Sequence, residues 1–273
     1  MLQWCPTGLF SFLPIHAAGC YDNKLAIECT SDYIVSSYTP TIGALLTHNP
    51  IPSTKPFKMM VVVQSQDLPS TKMELEKIEQ YVSKDLLIKL GVPGKTASVD
   101  AVVSHLSDVS IAHFACHGKQ DRSNPLASGL KLEDGMLLVS RIIKKPMLNG
   151  ALVFLSACET AMGDGNLPDE AMNLAGSLLF SGFCHVIATM WYVISMAFKT
   201  QSLILFYFRE MRDEDGPTIA DNFYNELFHG PDGKLAQYPD TRKSAQALHI
   251  AVKNLRSKNV PFRNWASFIH MGK

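Results

Sequence analysis

The sequence has no surplus of either charge: Lys and Arg together number 25, and so do Asp and Glu. No basic face is therefore on offer to a nucleic-acid backbone. Metal-type Cys-x-x-Cys spacing is missing from the six cysteines, at positions 5, 20, 29, 116, 158 and 184. No zinc framework follows from them, no metal or cofactor is expected, and free thiols suit a reducing compartment. The apolar start, Leu9 to Ala18, has no basic segment before it and is broken by Pro14. It reads neither as a signal peptide nor as a stretch long enough to span a bilayer, so the expectation is a cytoplasmic protein without a membrane partner. A phosphate loop is absent too, because Gly94-Lys95-Thr96 has Lys89 where the template needs its first glycine. There is no G-x-S-x-G elbow for a serine hydrolase. No internal repeat is visible.

What the chain does have is apolar material in strand-length runs. At 273 residues and 47% apolar it can bury one large core, and a single domain over 1–273 is expected. Residues 1–56 read as an irregular, β-rich segment of it, with short strands at Gln3–Cys5, Leu9–Phe12 and Asp32–Ser37 and a proline-punctuated connector from Pro50 to Pro56. From Phe57 to the end the pattern becomes strand–helix alternation. Phe57–Gln64 is continuous enough for a central parallel strand. Thr71-Lys-Met-Glu74 has the spacing of a capping box opening a helix with Leu75, Ile78 and Val82 on one face. A strand over Leu86–Val92 and a helix near Ser98–Leu106 follow, then a hairpin turning at Asp134-Gly135. Ala171, Leu174, Ala175, Leu178, Leu179 and Gly182 form one helical stripe. The rest reads as a strand at His185–Met190, a helix at Ser195–Arg212, an irregular stretch over Gly216–Tyr238, a helix from Asp240 to Ser257 and a closing strand at Trp265–Met271. This alternation gives a three-layer α/β/α sandwich around a mostly parallel sheet.

Two of the runs end abruptly on reactive side chains. Ile111-Ala-His-Phe-Ala-Cys-His117-Gly118 closes on a histidine, and Ala151-Leu-Val-Phe-Leu-Ser-Ala-Cys158 on a cysteine. Chemistry in open α/β sheets sits just beyond the carboxyl ends of the strands. The pair therefore suggests a nucleophilic Cys158 whose proton is taken and returned by His117, since the thiolate is the attacking species and imidazole titrates near working pH. Gly118 tolerates positive φ and lets a substrate approach the backbone. Cys116 alternates away from His117 and reads as packing, as do Cys184 and His185; His113 reads as a core or interface histidine.

The ordered strings Trp4-Cys-Pro-Thr-Gly8, Phe12-Leu-Pro-Ile-His-Ala-Ala-Gly19, Ser37-Tyr-Thr-Pro-Thr41, His113-Phe-Ala-Cys-His-Gly118, Asn124-Pro-Leu-Ala-Ser-Gly-Leu130, Leu155-Ser-Ala-Cys-Glu-Thr160, Val186-Ile-Ala-Thr-Met-Trp191 and Trp265-Ala-Ser-Phe-Ile-His-Met-Gly272 resemble CHAT domains. These are caspase-like modules related to separase-type cysteine peptidases and usually found behind tetratricopeptide repeats; the version here looks like the fungal type. The resemblance implies a caspase-like fold, a Cys158–His117 dyad, and an oxyanion hole from the backbone N–H groups of Gly118 and Cys158. It also implies a protein or peptide substrate and control by an attached repeat region or by assembly. An alternative within the same fold is a catalytically silent interaction module.

For the substrate pocket, Glu159, Asp164, Trp191 and Ser195 are the candidates. Asp169 and Glu170 read instead as first-turn residues of the next helix. Relatives usually carry an aspartate one or two positions beyond the valine that follows this tryptophan, where separase-like members pair it with arginine. Here the segment runs Trp191-Tyr-Val-Ile-Ser195 with no acid, so an arginine before the cut is not expected to be preferred.

Overall fold

A computed structural model describes residues 1–21, 28–46, 56–64, 68–121, 124–156, 173–190, 215–230 and 232–273. Its main sheet has eight strands. They are β1 (Leu2–Trp4), β2 (Ser36–Tyr38), β3 (Met59–Val63), β4 (Leu87–Leu90), β5 (Ile111–Ala115), β6 (Leu152–Ser156), β7 (His185–Thr189) and β8 (Phe268–Gly272). The order across the sheet is β1-β2-β8-β7-β6-β5-β3-β4. Neighbours are parallel except at β7–β8, where the closing strand returns antiparallel.

Alternation along each strand divides the core into two layers. Met60, Val62, Ala112, Phe114, Val153 and Leu155 face one side. There they meet α2 (Val99–Leu106) and α3 (Leu174–Phe180). Met59, Val61, Val63, Ile111, Ala115 and Phe154 face the other. They are covered by α1 (Ser70–Ile78), α4 (Gly216–Phe228) and α5 (Ser244–Arg256). Strands buried on both faces need unbroken apolar runs, which is why the runs stand out in the sequence. The result is a three-layer α/β/α sandwich, and no described helix is long and apolar enough to cross a membrane.

Several elements differ from the sequence reading. Leu9–Phe12 lies in a 3-10 helix, Gly8–Phe12, started by Gly8 at φ +57°. Of Asp32–Ser37, only Ser36 and Ser37 are in a strand; Thr30–Asp32 is a 3-10 turn held by the Asp32 carboxylate accepting from the Cys29 N–H at 2.8 Å. The stretch from Gly216 opens with the thirteen-residue α4. Pro217 sits in the first helical turn, where a missing N–H costs nothing, so Gly-Pro marks a start and not a break. The capping box is absent as well: Thr71 donates to the Leu68 carbonyl and Glu74 turns into the core. The expected helix at 195–212 and the connector at 50–55 lie outside the described residues.

Candidate active site

The centre of the sheet sets the geometry. β5 lies between β6 and β3, with Ala115 in register with Ser156 on one side and Val63 on the other. His117 stands two residues beyond Ala115 and is half-buried, while Cys116 between them is 1% exposed and packs into the layer with α2 and α3. Burial, with the charge of Glu74 behind it, pushes the Cys116 thiol up to about 12, so it serves as packing, as its parity suggests. The backbone N–H of His117 donates to Gln64 Oε1 at 3.3 Å, and Gln64 N–H to the Ala115 carbonyl at 3.0 Å. Gln64, the first residue past β3, thus anchors the turn that carries the histidine. Sequence reasoning missed it; position beside a strand end was the available signal.

After His117 the chain forms a short strand, Gly118–Lys119, against Gly129–Lys131, whose other neighbour is Met136–Leu138. The latter two are the hairpin expected at Asp134-Gly135. Lys131 N–H donates to the His117 carbonyl at 2.8 Å while Gly118 is paired with Leu130. That pattern makes Gly118–Leu130 a non-hydrogen-bonded pair, so the Gly118 N–H and C=O point away from the hairpin. Gly118 is extended and is not among the glycines with positive φ. The left-handed freedom expected of it is unused.

Behind the strand ends, on the face of Ile111 and Ala115, lies a buried polar group that sequence reasoning also missed. Glu74 from α1 is 2% exposed. Its Oε2 accepts from the Ser156 hydroxyl at 3.1 Å, and its Oε1 lies 3.0 Å from His113 Nε2, an ion-pair distance whose angle falls outside hydrogen-bond alignment. His113 Nδ1 meets the Tyr224 hydroxyl at 3.0 Å. His113 is therefore a core histidine, as its sequence context suggests, hydrogen-bonded at Nδ1 and set against the Glu74 carboxyl at Nε2. Glu74, in turn, ties α1 to β5 and β6 directly beneath their carboxyl ends. Gly216 at the start of α4 closes over it, since a Cβ there would come within 3.0 Å of both Glu74 Oε2 and Ser156 Oγ. Removing Glu74 leaves the buried Ser156 hydroxyl without its acceptor, which costs about 1–3 kcal/mol. Glu74→Ala should therefore lower the free energy of urea unfolding by that amount, and Glu74→Gln, which keeps an acceptor for Ser156, by about half as much.

Cys158, Glu159, Asp164, Trp191 and Ser195 lie outside the described residues. Of the expected dyad, His117 and the strand ends that lead to both partners are in view. Cys184 and His185 are structural in position: the thiol is half-buried and raised by burial, and His185 hydrogen-bonds His270 at the β7–β8 junction.

An α/β/α sandwich with a mostly parallel sheet and a histidine just past a central strand is of the caspase-like class. The chain belongs to the CHAT domain family, whose profile matches residues 1–273. Among solved structures it is similar in fold to a chain of the Saccharomyces cerevisiae separase–securin complex at 2.6 Å resolution. That match has a TM-score of 0.53 at 12% identity over 88% of this chain. A 3.0 Å structure of the same complex gives 0.53 at 13% identity over 89%. In both cases this chain spans 14% of the length of the chain it matches. Comparison with curated protein sequences gives no match.

Proposed function

We propose that this CHAT domain is a cysteine endopeptidase acting through Cys158 and His117. The supporting observation is the parallel register that pairs Ala115 with Ser156. His117 and Cys158 each follow their paired residue by two positions, on strands that neighbours in a sheet hold about 4.8 Å apart. In this reading the Cys158 thiol gives its proton to the imidazole and attacks the substrate carbonyl carbon. The oxyanion is met by the outward N–H of Gly118 and by that of Cys158. The imidazolium then protonates the departing amine, and water cleaves the thioester to release the acid and restore the thiol. The substrate is a protein or peptide, and no cofactor takes part. We further propose that the whole chain acts as one domain in the cytoplasm, under the control of an attached repeat region or of assembly.

Labelling with a peptide bearing a thiol-reactive electrophile tests the reading. A single adduct at Cys158, lost in Cys158→Ala, is expected. A protein that stays unlabelled is the silent interaction module. Specificity follows from Trp191–Ser195, where no acid is available to an arginine side chain. A buried guanidinium without a carboxylate lacks its bidentate, charge-assisted partner, and neither Glu159 nor Asp164 occupies that sequence position. In a positional peptide library, neutral residues before the cut should be accepted at least as well as arginine; a sharp arginine preference would contradict this.

A further inference from the structure

Between the turn at Thr30–Asp32, the start of β2, helix α5 and the start of β8 lies a hollow that the proposed chemistry does not use. Its floor is apolar: Ile34 from the approach to β2, Leu248 and Val252 from α5, Trp265, and Phe268 from β8. Leu248 and Val252 are one helical turn apart and belong to the stripe that packs α5 onto the sheet. The accessible space is about 40 Å³, room for about three water-sized groups. That suits an isopropyl group and is too little for an aromatic ring. A water on such a floor finds few polar partners, so an aliphatic group displaces it favourably.

The rim carries the charge. Asp32 and Arg256 are engaged with each other, Oδ1 accepting from Nη1 at 2.7 Å and Oδ2 from Nη2 at 3.2 Å. The Tyr38 hydroxyl meets His16 Nδ1 at 2.8 Å. The side chains of His249 and Lys253 make no hydrogen bond or ion pair among the described residues. They stand four residues apart on α5, one above the other on the same helix face. With Asp32 and Arg256 cancelling, the charge left at the mouth is that of Lys253. Burial and the neighbouring ammonium of Lys253 hold the His249 imidazole below its ordinary 6.5, so near neutral pH it is an uncharged N–H donor.

We infer that this hollow binds a short branched aliphatic carboxylate, its isopropyl end on the apolar floor and its carboxylate on the Lys253 ammonium and the His249 N–H. Each half of the ligand answers one half of the site. The ammonium–carboxylate contact is charge-assisted, which an amide cannot reproduce. The methyl groups supply the burial that acetate lacks. A free acid fits better than the end of a peptide chain. β2 has a neighbour on both sides and α5 spends its amides within the helix, so neither wall offers free backbone groups to an extended peptide.

Isovalerate titrated into the full chain at pH 7.5, followed by the His249 Cε1–H proton resonance, gives the test; the resonance is assigned by its loss in His249→Gln. A saturable shift with a Kd of about 1 mM is expected, within what seven non-hydrogen atoms can supply. Isovaleramide and acetate should each bind at least about tenfold more weakly, the first for want of charge and the second for want of apolar surface. Lys253→Gln, a change at an exposed position outside the core, should weaken isovalerate at least about fivefold. No saturable shift, isovaleramide or acetate binding as tightly as isovalerate, or an unchanged Kd in Lys253→Gln overturns the inference. So does an acetylated tripeptide ending in leucine that binds tenfold more tightly than isovalerate, since the occupant would then be a chain terminus.

Discussion

Cys158→Ala and His117→Ala are each expected to lower kcat/KM for a cleaved peptide by at least about a thousandfold, and the double variant by little more. A nucleophile and its base act as one unit, so removing either removes the covalent path, and the second loss has nothing left to take away. What remains is the contribution of oxyanion donors and binding, which acts without the thiol. The described geometry leaves Cys116 and His113 outside the proposed unit. Cys116 is one residue from His117, yet it faces the opposite layer, is 1% exposed and has its thiol held up near 12. His113, four residues before His117, is enclosed by Glu74, Tyr224 and Phe154. Neither can replace its neighbour. Steady-state cleavage by the single and double variants decides the matter: either single variant keeping a tenth of the wild-type rate, or effects that multiply in the double variant, would show that the two groups do not form one catalytic unit.

Much of this architecture was legible because parallel strands buried on both faces require unbroken apolar runs. Met59–Val63, Ile111–Ala115, Leu152–Ser156 and His185–Thr189 were visible for that reason, and so were the chain ends where His117 and Cys158 follow. The hairpin at Asp134-Gly135 was legible from turn chemistry, and α2, expected near Ser98–Leu106, starts where the Ser98 hydroxyl accepts from Ala101 N–H. The N-terminal segment was harder. β1 and β2 are three residues each, too short for periodicity, and they gain their place only by extending a sheet whose other strands lie far off in sequence. α4 was hidden by its own Gly-Pro start, although Ile219, Ala220, Phe223, Tyr224 and Leu227 carry helical spacing. Glu74 was hidden differently. Its local pattern fits a helix cap, and only the tertiary arrangement of His113 and Ser156 turns it inward. Local sequence reports local preference, whereas a buried polar contact between three elements is written in none of them alone.

The fold should also lose stability steeply in mild acid, through three buried histidines. His16 and His185 are held at about 4 by burial, and His270 well below its ordinary 6.5 by burial and by the facing His185. The hydrogen bonds explain why a proton has no place to go. Ser37 Oγ donates to the Gly272 carbonyl at 3.0 Å and lies 2.7 Å from His270 Nδ1, while His270 Nε2 lies 3.1 Å from His185 Nδ1. The chain is satisfied when both rings are neutral, with His185 Nδ1–H donating to His270 Nε2, His270 Nδ1–H to Ser37, and Ser37 to the backbone. A proton on His270 Nε2 sets two donors against each other or drives His185 to its other tautomer, and in both cases leaves a charge in the buried β7–β8 junction. The sign follows directly. Below about pH 6.5 the unfolded chain binds protons at these sites and the folded chain does not, so stability present above that pH is lost as the pH falls toward 4. Each histidine contributes about 1.4 kcal/mol per pH unit over that window, and three together about 4 kcal/mol per unit. From pH 6.5 to 4 the loss reaches about 10 kcal/mol, comparable with the stability of a domain, about 5–15 kcal/mol, so unfolding between pH 5 and 4 is expected. Urea midpoints should be level above pH 7 and drop sharply below 6. In His16→Phe the slope should lessen by about one proton, or 1.4 kcal/mol per pH unit. A midpoint that stays level to pH 5 would mean that these rings take up protons inside the fold, and that the hydrogen-bond chain from His185 to Gly272 does not constrain them.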